Sequence, residues 1–344
     1  MLPTTNMETA MKDKILLAHG SGGKLSHKLI EKNFVPVLGN PLLDKLDDSA
    51  VFDLSGRLAF TTDSYTVSPI FFPGGDIGKL AVCGTINDLA MSGATPLYLS
   101  LSFIIEEGLP LDELEKIVNS VHQAAVEAGV KIVTGDTKVV NQGSADKIFI
   151  NTSGLGMVPP GVDISGANAQ PGDKVILSGT LGDHGIAVLS QREGLKFKTL
   201  LKSDCAPLNK LVAQMLEAAS SIHCLRDPTR GGLATTLNEL AQKSMVGIKI
   251  DEARLPLNEA VLACCELLGF DPLYVANEGK LVAIVTPAEA DKVLVKMRQN
   301  KYGKRASIIG EVSAQHPGQV VMKTHLGTSR IVDMLTGELL PRIC

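Results

Sequence analysis

Four aspartates carry the first chemical signal in this chain. Asp48, Asp63, Asp88 and Asp227 each fall at or beside the end of a predicted element. Carboxylates that cluster repel one another unless they share a cation. Oxygen donors without a His–Cys set suit Mg²⁺, which bridges protein carboxylates to substrate phosphates. Taken singly, the same residues are ordinary caps and turns. Two glycine-bearing segments supply the complementary chemistry. RDPTRGGL (226–233) joins a short apolar strand to a helix, and its Asp227, Thr229, Gly231 and Gly232 suit a metal-bound phosphate at a helix N-terminus. HGSGGK (19–24) follows the apolar run Ile15–Ala18 but fails the Walker pattern, because Ala18 and Leu25 stand where Gly and Ser or Thr are needed. It remains a backbone rich in N–H groups, able to drape over an anion or simply to turn. Acids and loops together point to a nucleoside triphosphate with Mg²⁺.

A thiol ends the sequence. Cys344 closes the segment GELLPRIC (337–344), which follows the last strand-like run and holds nothing that would build a core. Seven residue steps from Gly337 reach at most ~25 Å, enough for a mobile tail to visit a cleft or a partner. A frayed end carrying a chance cysteine is the plain alternative. Prenylation is excluded, since that signal needs the Cys four places from the end.

The elements that must position these groups are legible from periodicity. Strands are predicted at 58–62, 97–105, 130–134, 147–158 and 174–178, with later ones near 246–251, 281–285, 307–312, 319–324 and 329–334. Helices are predicted from Asp76 as N-cap, over 111–128, and near 183–193, 207–220, 231–243, 258–268 and 287–299. Gly135-Asp136-Thr137-Lys138 is expected just after a strand end, and Asn277-Glu278-Gly279 just before one. Asn87 and Asp88 lie within an apolar helix beside Leu89, an awkward place for an amide and a carboxylate unless something binds them. Strands mixed with helices in both halves give an α/β (α+β) chain. The expected division is an N-terminal arm (1–40), a first domain (41–160), a linker (161–173), a second domain (174–335) and the tail (336–344).

Composition narrows the class. The 344 residues are 44% hydrophobic and 20% charged with no Trp, a globular balance too long for one ordinary core. A net charge of −4 argues against nucleic acid or an anionic membrane as the main partner. No apolar run approaches a membrane span, and Met1–Lys14 lacks a signal-peptide core. Six cysteines and seven histidines show neither a disulfide framework nor zinc spacing, so reduced thiols in the cytoplasm are expected. No nucleophile elbow supports a Ser–His–Asp hydrolase.

DDSAV (47–51), TTDSYTVSP (61–69), DIGKLAVCGTINDLAMSGATP (76–96), TGDTKV (134–139) and RDPTRGGL (226–233) run in an order that resembles the aminoimidazole-ribonucleotide synthetase superfamily. The opening HGSGGK and the closing PRIC resemble most closely its hydrogenase-maturation carbamoyl dehydratases. The resemblance covers the chain beyond its first dozen residues. It implies a two-domain fold dimerising through the N-terminal sheet, with ATP in the interdomain cleft. By the same motifs, Asp48, Asp63, Asp88 and Asp227 would hold Mg²⁺, while Asn87, Gly135, Asp136 and Thr137 would border the nucleotide. Selenophosphate synthetases carry a reactive Cys or selenocysteine in the glycine loop; Ser21 stands there, against that activity. The implied reaction takes a carbamoyl group from the carbamoyltransferase HypF onto Cys344 and dehydrates it to a thiocyanate. The cyanide then passes to iron on the HypC–HypD scaffold. Such chemistry needs a base near nitrogen and a cation near oxygen; Glu278 and Lys138 are the candidates, each equally readable as a solvated side chain. A small-molecule kinase or synthetase of the same superfamily, or a non-catalytic thiol carrier, are the alternatives.

Overall fold

A computed structural model describes residues 14–194, 201–337, 340 and 342–344. The first thirteen residues of the expected arm, and Glu338, Leu339 and Pro341 of the tail, lie outside the described residues.

The first half is a four-stranded sheet with helices on one face. Its strands are β1 (Arg57–Tyr65), β2 (Thr95–Glu106), β3 (Lys131–Val140) and β4 (Ile148–Val158), in the order β1-β4-β2-β3. Only the β2–β3 pair is parallel. Along β4, buried and half-exposed residues alternate without a break, the signature of a sheet covered on one side. The covering helices are α1 (Ile77–Met91) and α2 (Leu111–Ala128). Asp76 caps α1, its carboxylate accepting from the Gly78 and Lys79 amides at 2.8 and 3.0 Å. The uncovered face presents Leu58, Phe60 and Ile104 to solvent, with Phe60 at 73% exposure.

The second half holds β5 (Lys174–Leu177), β6 (Ile222–Arg226), β7 (Gly247–Asp251), β8 (Val282–Val285), β9 (Ser307–Ser313), β10 (Val320–Lys323) and β11 (Ser329–Val332). They form one sheet in the order β11-β10-β7-β9-β5-β8-β6. Helices α3 (Asp183–Arg192), α4 (Asn209–Ala218), α5 (Gly232–Ser244), α6 (Glu259–Leu268) and α7 (Pro287–Gln299) pack around it. Residues 161–173 cross between the halves without strand or helix.

Helix α1 is apolar on nearly every side, as a helix buried all round must be. Ile77, Leu80 and Ile86 belong to the first-half core, whereas Ala90 and Met91 pack with Leu208 and Leu211 in a core of the second half. Burial of α1 against both halves fixes the orientation of Asp88.

Two local readings change. Strand β3 runs through Gly135–Lys138, so those residues belong to a strand and not to a loop beyond it. Gly and Asp are poor strand formers, but the parallel pairing with Leu101–Ile104 overrides propensity, and a Cβ on Gly135 would collide with the Leu101 carbonyl. The glycine loop leads into a helical segment at 24–38 that periodicity did not reveal.

Candidate active site

A cavity of about 690 Å³ lies between the two halves, walled by Asp63, Asp88, Arg226, Asp227, Thr229, Arg230, Glu278 and Cys344. Five segments of the chain supply these side chains. Asp63 sits on β1, where the Tyr65 hydroxyl donates to its Oδ2 at 3.1 Å; that hydroxyl also lies 3.3 Å from Thr85 Oγ1 on α1. Asp88 comes from the last turn of α1 and accepts from Thr61 Oγ1 at 2.8 Å. Asp227, Thr229 and Arg230 follow β6 and precede α5, whose leading Gly231 and Gly232 take φ of 75° and 61°. A Cβ on Gly232 would meet the Leu273 and Val275 carbonyls, so only glycine lets the helix begin so close to that backbone.

The loop of Glu278 is pinned by two asparagines. Asn277 donates to the Pro228 and Val275 carbonyls at 3.0 Å and accepts from the Gly182 amide at 2.8 Å. Asn87 donates to the Ala206 and Glu278 carbonyls at 3.1 and 3.3 Å and accepts from the Leu208 amide at 2.8 Å. The Glu278 amide itself donates to Asp204 Oδ1 at 3.1 Å. Glu278 is thus held rigidly, 3% exposed, with no hydrogen-bond partner for its Oε1 among the described residues.

Burial and mutual repulsion govern the electrostatics. Asp63 and Asp88 are raised above the ordinary carboxylate range by burial, against the hydrogen bonds that Tyr65 and Thr61 give them. Burial, with the nearby Asp88 carboxylate next, pushes Asp227 up to about 7. Glu278 stands well above the usual glutamate range, from burial first and then from the fields of Cys205, Asp227, Asp204 and Asp63. Among the described residues no three His, Cys, Asp or Glu side chains converge closely enough to hold a metal unaided. The donor set is therefore open: acids that raise one another's proton affinity and would be relieved by a cation whose remaining ligands come from a phosphate.

The end of the chain is docked in this site. The Thr66 amide donates to the Cys344 carbonyl at 3.2 Å, and the Ser68 amide to that of Arg342 at 3.1 Å. The Arg342 guanidinium reaches the Thr66 carbonyl at 2.9 Å and Asp146 at 2.7 Å. Ile343 is buried in the first-half core. Cys344, partly buried, has its thiol pushed up to about 12 by burial and by Glu278, against the opposing pull of Arg230.

The other expected site residues lie elsewhere in the chain. Gly135, Asp136, Thr137 and Lys138 line a second cavity of about 320 Å³ together with His19, Gly20, Gly22, Asp47 and Ser49. Asp48 is exposed between the last two, so within one chain three of the four aspartates meet and Asp48 does not. Lys138 is paired with Asp136 at 3.2 Å and is 63% exposed. Asn87 is 1% exposed and spent on protein partners; its role here is to clamp the Glu278 loop, not to line the cavity. Arg230 is the cation that sequence reading passed over, although it sat in the motif read for Asp227 and the glycines.

The N-terminal domain family of AIR synthase related proteins matches residues 46–158, and the corresponding C-terminal domain family matches residues 170–323. The carbamoyl dehydratase HypE of Azotobacter vinelandii is 55% identical over 329 residues, covering 95% of this chain and 96% of that one. The chain belongs to the HypE family. A crystal structure of the hydrogenase maturation protein HypE in complex with ATP is 52% identical, with a TM-score of 0.93 over 96% of this chain and 99% of that one. HypE in a HypE–HypF complex is 53% identical, with a TM-score of 0.79 over 89% and 99% of the two chains. The HypE fold thus accounts for both halves and for their α/β architecture.

Proposed function

We propose that the Cys344 cavity is where the dehydration step of hydrogenase maturation takes place. The chain acts as an ATP-dependent carbamoyl dehydratase, and its product supplies the cyanide ligand of the [NiFe]-hydrogenase iron. The observation that carries the site assignment is the docked tail, which puts the terminal thiol in one cavity wall with an unpaired buried glutamate and three carboxylates.

A carbamoyl group on Cys344 has the form S–C(=O)–NH₂, and hydroxide is too poor a leaving group to be expelled from it. When its oxygen takes the γ-phosphoryl of ATP, one nitrogen proton leaves and S–C(OPO₃)=NH and ADP result. Loss of the second nitrogen proton expels phosphate and leaves S–C≡N. In this reading Glu278 takes protons from nitrogen, and burial, which makes its carboxylate a stronger base than a solvated one, supports that role. Arg230, whose field reaches Cys344, Asp63 and Asp88, offers positive charge where the oxygen is phosphorylated. Asp63, Asp88 and Asp227 would hold Mg²⁺, which supplies charge neutralisation for the phosphates, and Thr229, Gly231 and Gly232 would receive them at the start of α5. A docked thiol raised to about 12 is a weak nucleophile, so loading by HypF requires the tail to leave the cavity.

Lys138, Gly135, Asp136, Thr137 and Asp48 belong to the same reaction only if two chains assemble. The apolar outer face at Leu58, Phe60 and Ile104 supports a homodimer through the first sheet, in which one chain's second cavity adjoins the other's thiol. HypC–HypD is the cyanide acceptor in this reading.

The test is single turnover of carbamoyl-loaded protein. Glu278→Gln should bind ATP and accept carbamoyl, yet form thiocyanate about 10²–10⁴-fold more slowly. Thiocyanate formation at the parent rate would remove Glu278 from the mechanism.

A further inference from the structure

The tail pairs with Thr66 and Ser68 through main-chain hydrogen bonds, which by themselves are blind to sequence and open to slippage, and the Arg342 guanidinium adds a bond to the Thr66 carbonyl. The carbonyls of Arg342 and Cys344 point to Thr66 and Ser68, so the carbonyl of Ile343 points the other way, into the protein. There His184, 0% exposed on α3, places Nε2 2.7 Å from the Ile343 oxygen. Its Nδ1 lies 2.8 Å from Ser203 Oγ, which also accepts from the Cys205 amide at 3.0 Å. The Ile343 carbonyl can only accept, so with the tail docked the neutral imidazole carries its proton on Nε2 and the Ser203 hydroxyl donates to Nδ1. Phe72 packs edge-on against the ring with centroids 5.4 Å apart. Ring position and plane are therefore held by Ser203 and Phe72 independently of the tail, and a tail slipped by one residue would leave a buried donor facing a side chain.

We propose that His184, oriented by Ser203, is the positioning residue that registers the docked tail so that the Cys344 thiol faces Glu278. It touches no reacting atom; it selects which tail carbonyl lies opposite it.

Cys344 is partly exposed whereas the other five cysteines are buried, so its alkylation by iodoacetamide, followed by peptide mass spectrometry, reads tail release directly. His184→Leu, which removes the donor, should raise that rate about tenfold, the population shift expected from one lost buried hydrogen bond. His184→Gln, which restores a donor near the Nε2 position, should return it to within about threefold of the parent. Ser203→Ala, which frees the tautomer, should fall between them and serves if the leucine variant does not fold. The dehydration rate of carbamoyl-loaded protein should fall in the same order while the ATP-induced thermal shift is kept. The dehydration arm rests on the proposed function; the alkylation arm does not, so failure of one is distinguishable from failure of the other. Unchanged alkylation in both His184→Leu and Ser203→Ala overturns the latch. Faster alkylation with undiminished dehydration overturns the claim that register matters.

Discussion

Replacing Asp227 by Asn should make the ligand-free protein more stable and the ligand-bound protein less so. Asp227 is held at about 7 in the fold against 3.8 ordinarily, chiefly by burial and by Asp88. Between those two values the folded state keeps a proton that the unfolded chain has lost. Raising the pH through this window therefore destabilises the fold, and above about 7 both states are ionised and the cost is constant. The gap caps the cost at about 4 kcal/mol. Because Asp227 is only partly buried, screening brings the expected value to about 1–2 kcal/mol. In EDTA at about pH 8, Asp227→Asn should melt a few degrees above the parent, the advantage vanishing as the pH falls toward 4.

Mg²⁺–ATP should reverse the order. A ligand at a hundred times its dissociation constant stabilises the parent by about 2.7 kcal/mol, and the variant, lacking one anionic oxygen pair, should lose most of that. Differential scanning fluorimetry with and without EDTA, across the pH range, supplies all four melting curves. A variant less stable than the parent in EDTA would mean that Asp227 is a structural partner in the fold. A variant that keeps the full Mg²⁺–ATP shift would mean that the three carboxylates do not share the cation.

Cys344→Ala should abolish carbamoyl and cyano mass while retaining the Mg²⁺–ATP thermal shift; modification appearing on another residue would remove the tail from the reaction. Phe60→Asp, on the exposed face of the first sheet, should convert a dimer to a monomer in light scattering and slow dehydration together with it. A parent that is monomeric at tens of micromolar, or a variant that stays dimeric, rules out assembly through that face.

What could be read in the sequence divides along physical lines. Helix α1 carries its own N-cap in Asp76, and α2 has apolar residues at helical spacing with Gly129 as its stop, so local residues suffice to announce them. Glu278 was read as a candidate base or a solvated side chain from its glycine-flanked place before a strand, and the fold buries it in the cavity wall. The second half of strand β3 was not legible, because Gly135 and Asp136 read as a turn after the strand predicted at 130–134 and only their non-local partners on β2 extend it. Nor could spacing tell that Asp48 and Lys138 leave the cavity that Asp63, Asp88 and Asp227 enter. Motif order ranks residues along the chain, whereas which wall a side chain faces depends on how the two halves pack around α1. The tail is the extreme case. Much of its seat is built from carbonyls and amides at Thr66, Ser68, Arg342, Ile343 and Cys344, groups that every residue possesses, and the Asp146 that meets the Arg342 guanidinium lies 196 residues away. His184, whose imidazole meets the Ile343 carbonyl, sits on the helix predicted at 183–193, yet no spacing marks it because that carbonyl is 159 residues away. The seat joins main-chain hydrogen bonds to the Arg342 side chain on Thr66 and Asp146 and to the His184 bond on Ile343. Loss of the His184 bond should therefore weaken the seat without removing it, which is why a graded rise in Cys344 alkylation is the expected readout.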